Sequence, residues 1–321
     1  MNRMQTTYAV SLRKWFRVYG TLFAGILIIL CFSLLSPDSF ATVDNVINIS
    51  RQISFLVIIS LGATLVMAVG EFDLSIGAMA SLGGVVAAKL AVAGQPMWLC
   101  ILIPLVVSVV IGYINGWIIT KFKVLSFITT LGMGTVLGGI TFWLTDGATI
   151  FENIPDSFRY LGQKMWFTVP ILSFIMLFLT IVFWYIMSHT AFGRKLYAIG
   201  GNESASRNAG VAVAQNKNLA FAFCALLAAL AGILMASRLG SAQPTSGDGL
   251  FLPAYAAAFL GMTSFKEGVP NIWGTFVGAA IIGILANGLT MLEVPSFLQD
   301  VVTGCIVIVA VILQKIGRDA S

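Results

Sequence analysis

His189-Thr-Ala-Phe-Gly-Arg-Lys-Leu-Tyr-Ala-Ile-Gly-Gly-Asn-Glu-Ser-Ala-Ser-Arg-Asn-Ala-Gly210 is a polar stretch, rich in charge and in small side chains, set between two long apolar runs. Its surroundings are hydrophobic enough to live in lipid, so a segment of this composition must meet something in water. Working outward, apolar runs recur at about 19–36, 46–69, 74–93, 96–120, 124–145, 166–188, 218–236, 250–263, 271–291 and 296–314. Runs of roughly 17–25 residues cross the hydrocarbon layer as helices, and the eighth is too short to cross comfortably as a straight one.

The whole chain agrees with this. Of its 321 residues 58% are hydrophobic and 10% charged, against about 25% charged in a soluble domain. There is too little charge to coat a soluble body. The expected fold class is an all-α integral membrane protein of about ten transmembrane helices.

Lys and Arg resist export and so mark the cytoplasmic side. With the N-terminus inside, Arg3, Arg13, Lys14, Arg17, Lys121, Lys123, Arg194, Lys195, Arg207, Lys217, Lys266, Lys315 and Arg318 fall on inner segments. Only Arg51, Lys89, Arg159, Lys164 and Arg238 fall outside. An even count with both termini cytoplasmic fits this bias. The expected organisation is a cytoplasmic segment 1–18, one transmembrane domain 19–314 with a cytoplasmic loop at about 189–217, and a tail 315–321. The first apolar run lacks a small-x-small cleavage site and reads as a retained helix. The net charge of +5 then reflects inner loops facing lipid headgroups, with no call for nucleic acid.

Several chemistries are excluded. Cys31, Cys100, Cys224 and Cys305 are scattered through apolar runs and read as small hydrophobes, and His189 is the lone histidine, so neither a disulfide framework nor a multi-histidine metal site is expected. No phosphate-cradling Gly-rich loop and no nucleophile motif occurs. No catalytic residue, metal ligand or cofactor of the chain's own is expected; ATP hydrolysis, if it drives the protein, belongs to a partner.

Polar groups inside apolar runs nominate a pathway. Gly70-Glu71-Phe72-Asp73-Leu74-Ser75-Ile76-Gly77 places two carboxylates between spans with hardly any loop. Each would cost about 2.5–3.5 kcal/mol at a bilayer centre, so they sit at the inner interface or line a wet cavity. Asp73 also fits an N-cap for the third helix. Arg238-Leu-Gly-Ser-Ala-Gln-Pro-Thr-Ser-Gly-Asp-Gly249 precedes the short eighth run. Helices interrupted in this way free backbone groups that need protein or water, and often mark transport paths. Glu71, Asp73, Ser75, Gly77, Gln243 and Asn287 are therefore candidates for the pathway or its gate. As isolated polarity inside spans, Asn115, Asn287, Thr129, Thr130, Ser108 and Ser126 are explained by interhelical hydrogen bonds more often than by substrate contacts. Gly112-x-x-x-Gly116, Gly134-x-x-x-Gly138 and Gly274-x-x-x-Gly278 predict close helix crossings.

The inner stretch and its surroundings resemble the permease subunits of ribose-type ABC sugar importers. The resemblance rests on His189-Thr-x-x-Gly193-Arg194, Tyr197-Ala-x-Gly200-Gly201-Asn202-Glu203, Gly210-Val and Arg238-Leu-x-Ser-Ala-Gln-Pro244. Asp73-Leu-Ser-x-Gly77, Phe127-Ile-x-Thr-Leu131 and Asn287-Gly-Leu extend it over about 45–313 in the same order. It implies a type II importer-like bundle in a bacterial inner membrane, with two permease subunits, identical or paralogous, around a central path. It further implies an ABC ATPase subunit carrying ATP and Mg2+, and a periplasmic solute-binding protein delivering a monosaccharide or related polyol. A short inner helix, expected at 201–210, would lie in a groove of the ATPase, with Gly200, Gly201, Asn202, Glu203, Ala205, Arg207 and Gly210 as coupling residues. Glu203 and Arg207 are four apart and can pair on one helix face.

The chain departs from that pattern at Glu71-Phe72, where the family has a small and an aliphatic residue, and at Ser264–Asn271, where it has a run of glycines. Branched-chain amino-acid permeases are distant relatives of the same general architecture, so another small solute such as an amino acid stays open. An ion-gradient carrier using Glu71 and Asp73 is the rival mechanism.

Overall fold

The computed structural model describes residues 21–263 and 268–319, with side chains to residue 312. The expected N-terminal segment 1–18 and half of the departure at 264–271, residues 264–267, lie outside the described residues. Among the described residues thirteen helices follow one another: α1 (Thr21–Leu35), then α2 (Val43–Ala68), α3 (Ile76–Val92), α4 (Met97–Phe122), α5 (Ser126–Thr145), α6 (Asp156–Gln163), α7 (Ile171–His189), α8 (Ala191–Gly201), α9 (Glu203–Asn208), α10 (Val213–Leu239), α11 (Asp248–Met262), α12 (Ile272–Met291) and α13 (Ser296–Asp319). Six of these, α2, α4, α5, α7, α10 and α12, are long and apolar enough to cross a membrane, and α1, α3, α11 and α13 are shorter apolar helices. Together they account for the ten expected spans. A two-residue antiparallel pair, Met165–Trp166 with Val169–Pro170, adds a small hairpin before α7.

Two buried helices organise the bundle. α10 lies against α2, α3 and α4, and α2 against α10, α11 and α12. The interior is built from small and branched side chains: Val57, Ile58, Leu61 and Leu65 on α2, and Ala220, Ala225, Ala228 and Ala231 on α10, are all essentially inaccessible. In lipid there is no hydrophobic drive between helices, so close packing must supply the attraction. Glycine makes it possible. A Cβ at Gly112 would stand 2.5 Å from the Phe221 carbonyl oxygen, and one at Gly116 2.5 Å from the Asn218 Cα, so that motif is the α4–α10 crossing. Gly274 and Gly278 bring α12 onto Gly261 and Ala257 of α11 in the same way, whereas Gly138 faces open space. The Gly134-x-x-x-Gly138 motif therefore makes no comparable crossing.

The chain repeats itself with inverted direction. α2 and α10, of 26 and 27 residues, each end at a glycine with positive φ, Gly70 at 78° and Gly240 at 63°, a conformation that glycine adopts without steric cost. Each is followed by an unwound segment and then a shorter helix, α3 or α11. α10 packs on α3 and α4 as α2 packs on α11 and α12, and α5 and α13 each cover the short helix of their own half. One half thus breaks near the inner side and the other near the outer side.

The short eighth span now has a cause. The chain leaves α10 at Gly240, pairs Ala242 with Ile150 of the outer connection, and dips into the bundle before α11 starts. There the Gly247 N–H donates to Ser81 Oγ of α3 at 2.8 Å, and a Cβ on Gly77 would stand 2.9 Å from the Gly247 carbonyl oxygen. α11 needs only the ~22 Å that 15 residues provide because it begins inside.

Candidate functional site

The break before α3 is held by side chains from elsewhere in the chain. Four consecutive backbone N–H groups lack helical partners, and each finds a side-chain oxygen. Phe72 N–H donates to Ser126 Oγ (3.3 Å), Asp73 N–H to Tyr255 Oη (2.7 Å), Leu74 N–H to Thr130 Oγ1 (2.9 Å) and Ser75 N–H to Asp73 Oδ1 (2.9 Å). The Tyr255 hydroxyl donates in turn to the Asp73 carbonyl oxygen at 3.0 Å. An unpaired buried backbone group costs free energy; here α5 and α11 remove that cost, so the break is locked to both.

Asp73 does not act as the expected N-cap. The N-cap position of α3 is Ser75, and no side chain caps there. Asp73, 1% exposed, closes a local turn by accepting from Ser75 N–H and Oγ–H, the latter at 2.5 Å. Ser75 Oγ also receives Asn115 Nδ2–H of α4 at 3.3 Å. Ser75 is buried in this contact, whereas Gly77, also buried, lies against Gly247.

Glu71 points the other way, toward the 203–208 helix. The Lys217 ammonium, on the first turns of α10, donates to Glu71 Oε1 at 2.5 Å and to Glu203 Oε2 at 2.8 Å. Glu203 Oε1 accepts from Arg207 at 2.7 Å, the i,i+4 pair expected from spacing. The Lys217 hydrogen bond is the main influence holding the Glu203 carboxyl below its ordinary range, with Arg207 adding to it. A cavity of about 690 Å³ opens beside this network, lined by Glu71, Thr120, Lys123, Glu203, Arg207 and Lys217 among others.

The inner helix is shorter than the expected 201–210. α8 runs through Gly200 and Gly201; Asn202 then caps α9 by accepting from Ala205 N–H at 2.9 Å. An extended Asn202 between the two helices is the reason for the division. Gly210, φ 82°, turns the chain toward α10. Gly200, Gly201, Ser204, Ala205, Asn208 and Gly210 are exposed, but a Cβ on Gly200 would overlap the Ala68 carbonyl of α2, so there the helix lies close against the core. Tyr197 of α8 donates to the Pro270 carbonyl at 2.9 Å, and burial raises its hydroxyl to about 12.

The remaining candidates stand apart. Asn287, near the outer end of α12, accepts from Asn45 Nδ2–H at 3.0 Å and clamps α12 to the start of α2. Gln243 is exposed in the outer break. Tyr255 and Lys217, which tie the arrangement together, were not singled out by sequence. Tyr255 lies within an apolar run without a distinguishing neighbour, and Lys217 counted only as one more inner charge.

Comparison with known proteins places the arrangement. The chain is 39% identical to the ribose import permease protein RbsC of Haemophilus influenzae over 91% of both chains. It is 38% identical to the ribose import permease protein of Escherichia coli over 97% of this chain and 99% of that one. The L-arabinose transport system permease protein of Escherichia coli is 33% identical over 94% and 92%. No solved structure matches. Residues 45–311 match the family model described as branched-chain amino acid transport system / permease component, and the chain belongs to that family of multi-pass membrane permeases.

Proposed function

We propose that this chain is the permease subunit of an ABC importer that carries a monosaccharide or related polyol across a bacterial inner membrane. A separate ATPase subunit binds and hydrolyses ATP with Mg2+, a periplasmic binding protein delivers the solute, and a second permease subunit completes the path. The relatives named for ribose and L-arabinose support the solute class. The observation that carries the mechanism is α9: a capped helix of small, outward-facing residues on the basic side, joined by its own Glu203 to the core through a buried lysine. A surface of Gly201, Ser204, Ala205 and Asn208 lets another protein approach the backbone closely. On this reading residues 189–217 form the coupling loop, and Glu71, Asp73, Ser75 and Gly77 form the inner gate that answers it.

The test is co-purification from native membranes. Wild-type protein should bring down a stoichiometric subunit carrying phosphate-binding loops, and Ala205→Arg should lose it while keeping its own thermal stability. Ala205 is the better probe because Glu203 and Arg207 also serve internal pairs. No such subunit with the wild type would sink the importer and favour a gradient-driven carrier.

A further inference from the structure

Lys217 hydrogen-bonds both the 203–208 helix, at Glu203, and the break before α3, at Glu71. Its side chain is 9% exposed, against 18% for Glu71 and 42% for Glu203. One buried ammonium thus satisfies two carboxylates from segments 132 positions apart in sequence. Lysine is rarely buried unless paired, and removing one partner of such a pair leaves an uncompensated charge. The connection continues past Glu71. Two residues on, Asp73 is bonded to Tyr255 of α11 in both directions, and Phe72 and Leu74 donate to α5. The adjoining cavity leaves α9 room to shift toward the end of α4.

We propose that Lys217 is a positioning residue that transmits displacement of α9 to the unwound segment 70–75, and through it to α5 and α11. This rests on α9 being the ATPase contact. A shift of α9 carries the Glu203 carboxylate with it, and the shared ammonium either follows or is left with Glu71 alone. Either way the break experiences the change directly, without relying on the 209–212 link. Coupling through a network requires evidence that both ends move together, and the experiment is built on that.

The test uses the co-purified permease–ATPase complex in lipid nanodiscs, with the native cysteines replaced and Phe72→Cys as reporter. Phe72 is 38% exposed and packs on Tyr255 and Phe259. Its maleimide labelling rate is compared without nucleotide and after trapping with ATP and vanadate. With Lys217 present, trapping should change the rate about tenfold, within the span typical of allosteric coupling. Lys217→Met should abolish the change while the ATPase still co-purifies, and Lys217→Arg should restore most of it. If Lys217→Met does not fold, Glu71→Leu decides, since it removes the acceptor and breaks the same link while leaving Lys217 paired with Glu203. An undiminished change in the variant that folds overturns the proposal, as does the absence of any change with Lys217 intact. A complex that never contains an ATPase removes the importer reading as well, which separates the two failures.

Discussion

Tyr255 supplies one oxygen that both accepts from the Asp73 N–H and donates to the Asp73 carbonyl. Tyr255→Phe keeps the ring, and so its packing on Phe72 and Phe251, but strands a buried N–H. Such a loss costs about 1–3 kcal/mol. Thermal unfolding in detergent should show Tyr255→Phe clearly destabilised, while Thr135→Ala, whose exposed hydroxyl bonds only to its own helix, should unfold with the wild type. Equal midpoints for the two variants would mean that the break does not depend on α11. At this scale the sequence revealed the acids and hid their partners. Glu71 and Asp73 stand out because charge between apolar runs is expensive. Whether Glu71 would meet a lysine or water depended on a residue 146 positions away, and spacing carries no such information. Asn287 shows the converse: polarity in a span admits a pathway role or an interhelical hydrogen bond, and its bond to Asn45 is of the second kind.

Helices were far more legible than contacts, because apolar length and the glycine–proline punctuation are local properties. The runs at 96–120, 124–145 and 271–291 correspond closely to α4, α5 and α12. α9 was misjudged at its start, since Gly200 and Gly201 suit either the end of one helix or a docking surface, and only packing against Ala68 distinguishes these. The shortness of α11 is legible in the length of its apolar run, but its cause, a buried start against Gly77, follows only from the fold. The glycine pattern yields a prediction at this scale. A Cβ at Gly232 would overlap the Ala80 carbonyl where α10 crosses α3, while one at Gly201 meets nothing within 4 Å. Backbone cannot yield as a flexible side chain can, so Gly232→Val should reach or pass the upper end of the roughly 1–3 kcal/mol typical of overpacking. Gly201→Ala should stay close to wild type. The yield of monodisperse protein and its unfolding midpoint check both; a well-folded Gly232→Val would mean that the α3–α10 approach is looser than described.

For the whole molecule, the inverted halves place one break near each face, and the orientation decides which of them the proposed ATPase partner would reach. The Lys and Arg bias assigns α8, α9 and the 70–75 break to the cytoplasm, and α6 with the 165–170 hairpin to the periplasm. Exposed apolar side chains on α4, α5 and α7, such as Val106, Val110, Leu131, Trp143 and Phe178, form the belt expected to contact lipid or a second subunit, and they impose no direction of their own. Charge alone sets it, so direction is the global property most open to test. Phe167, at the tip of the hairpin, is 90% exposed, and Arg194 of α8 is exposed at the opposite end. In a cysteine-free background, Phe167→Cys should react with a membrane-impermeant maleimide in spheroplasts, whereas Arg194→Cys should react only after the membrane is opened. The reverse pattern would invert the molecule. It would move α9 and the Lys217 network to the periplasmic side, beyond the reach of any ATPase, and the inner gate would then have to be sought at 240–247.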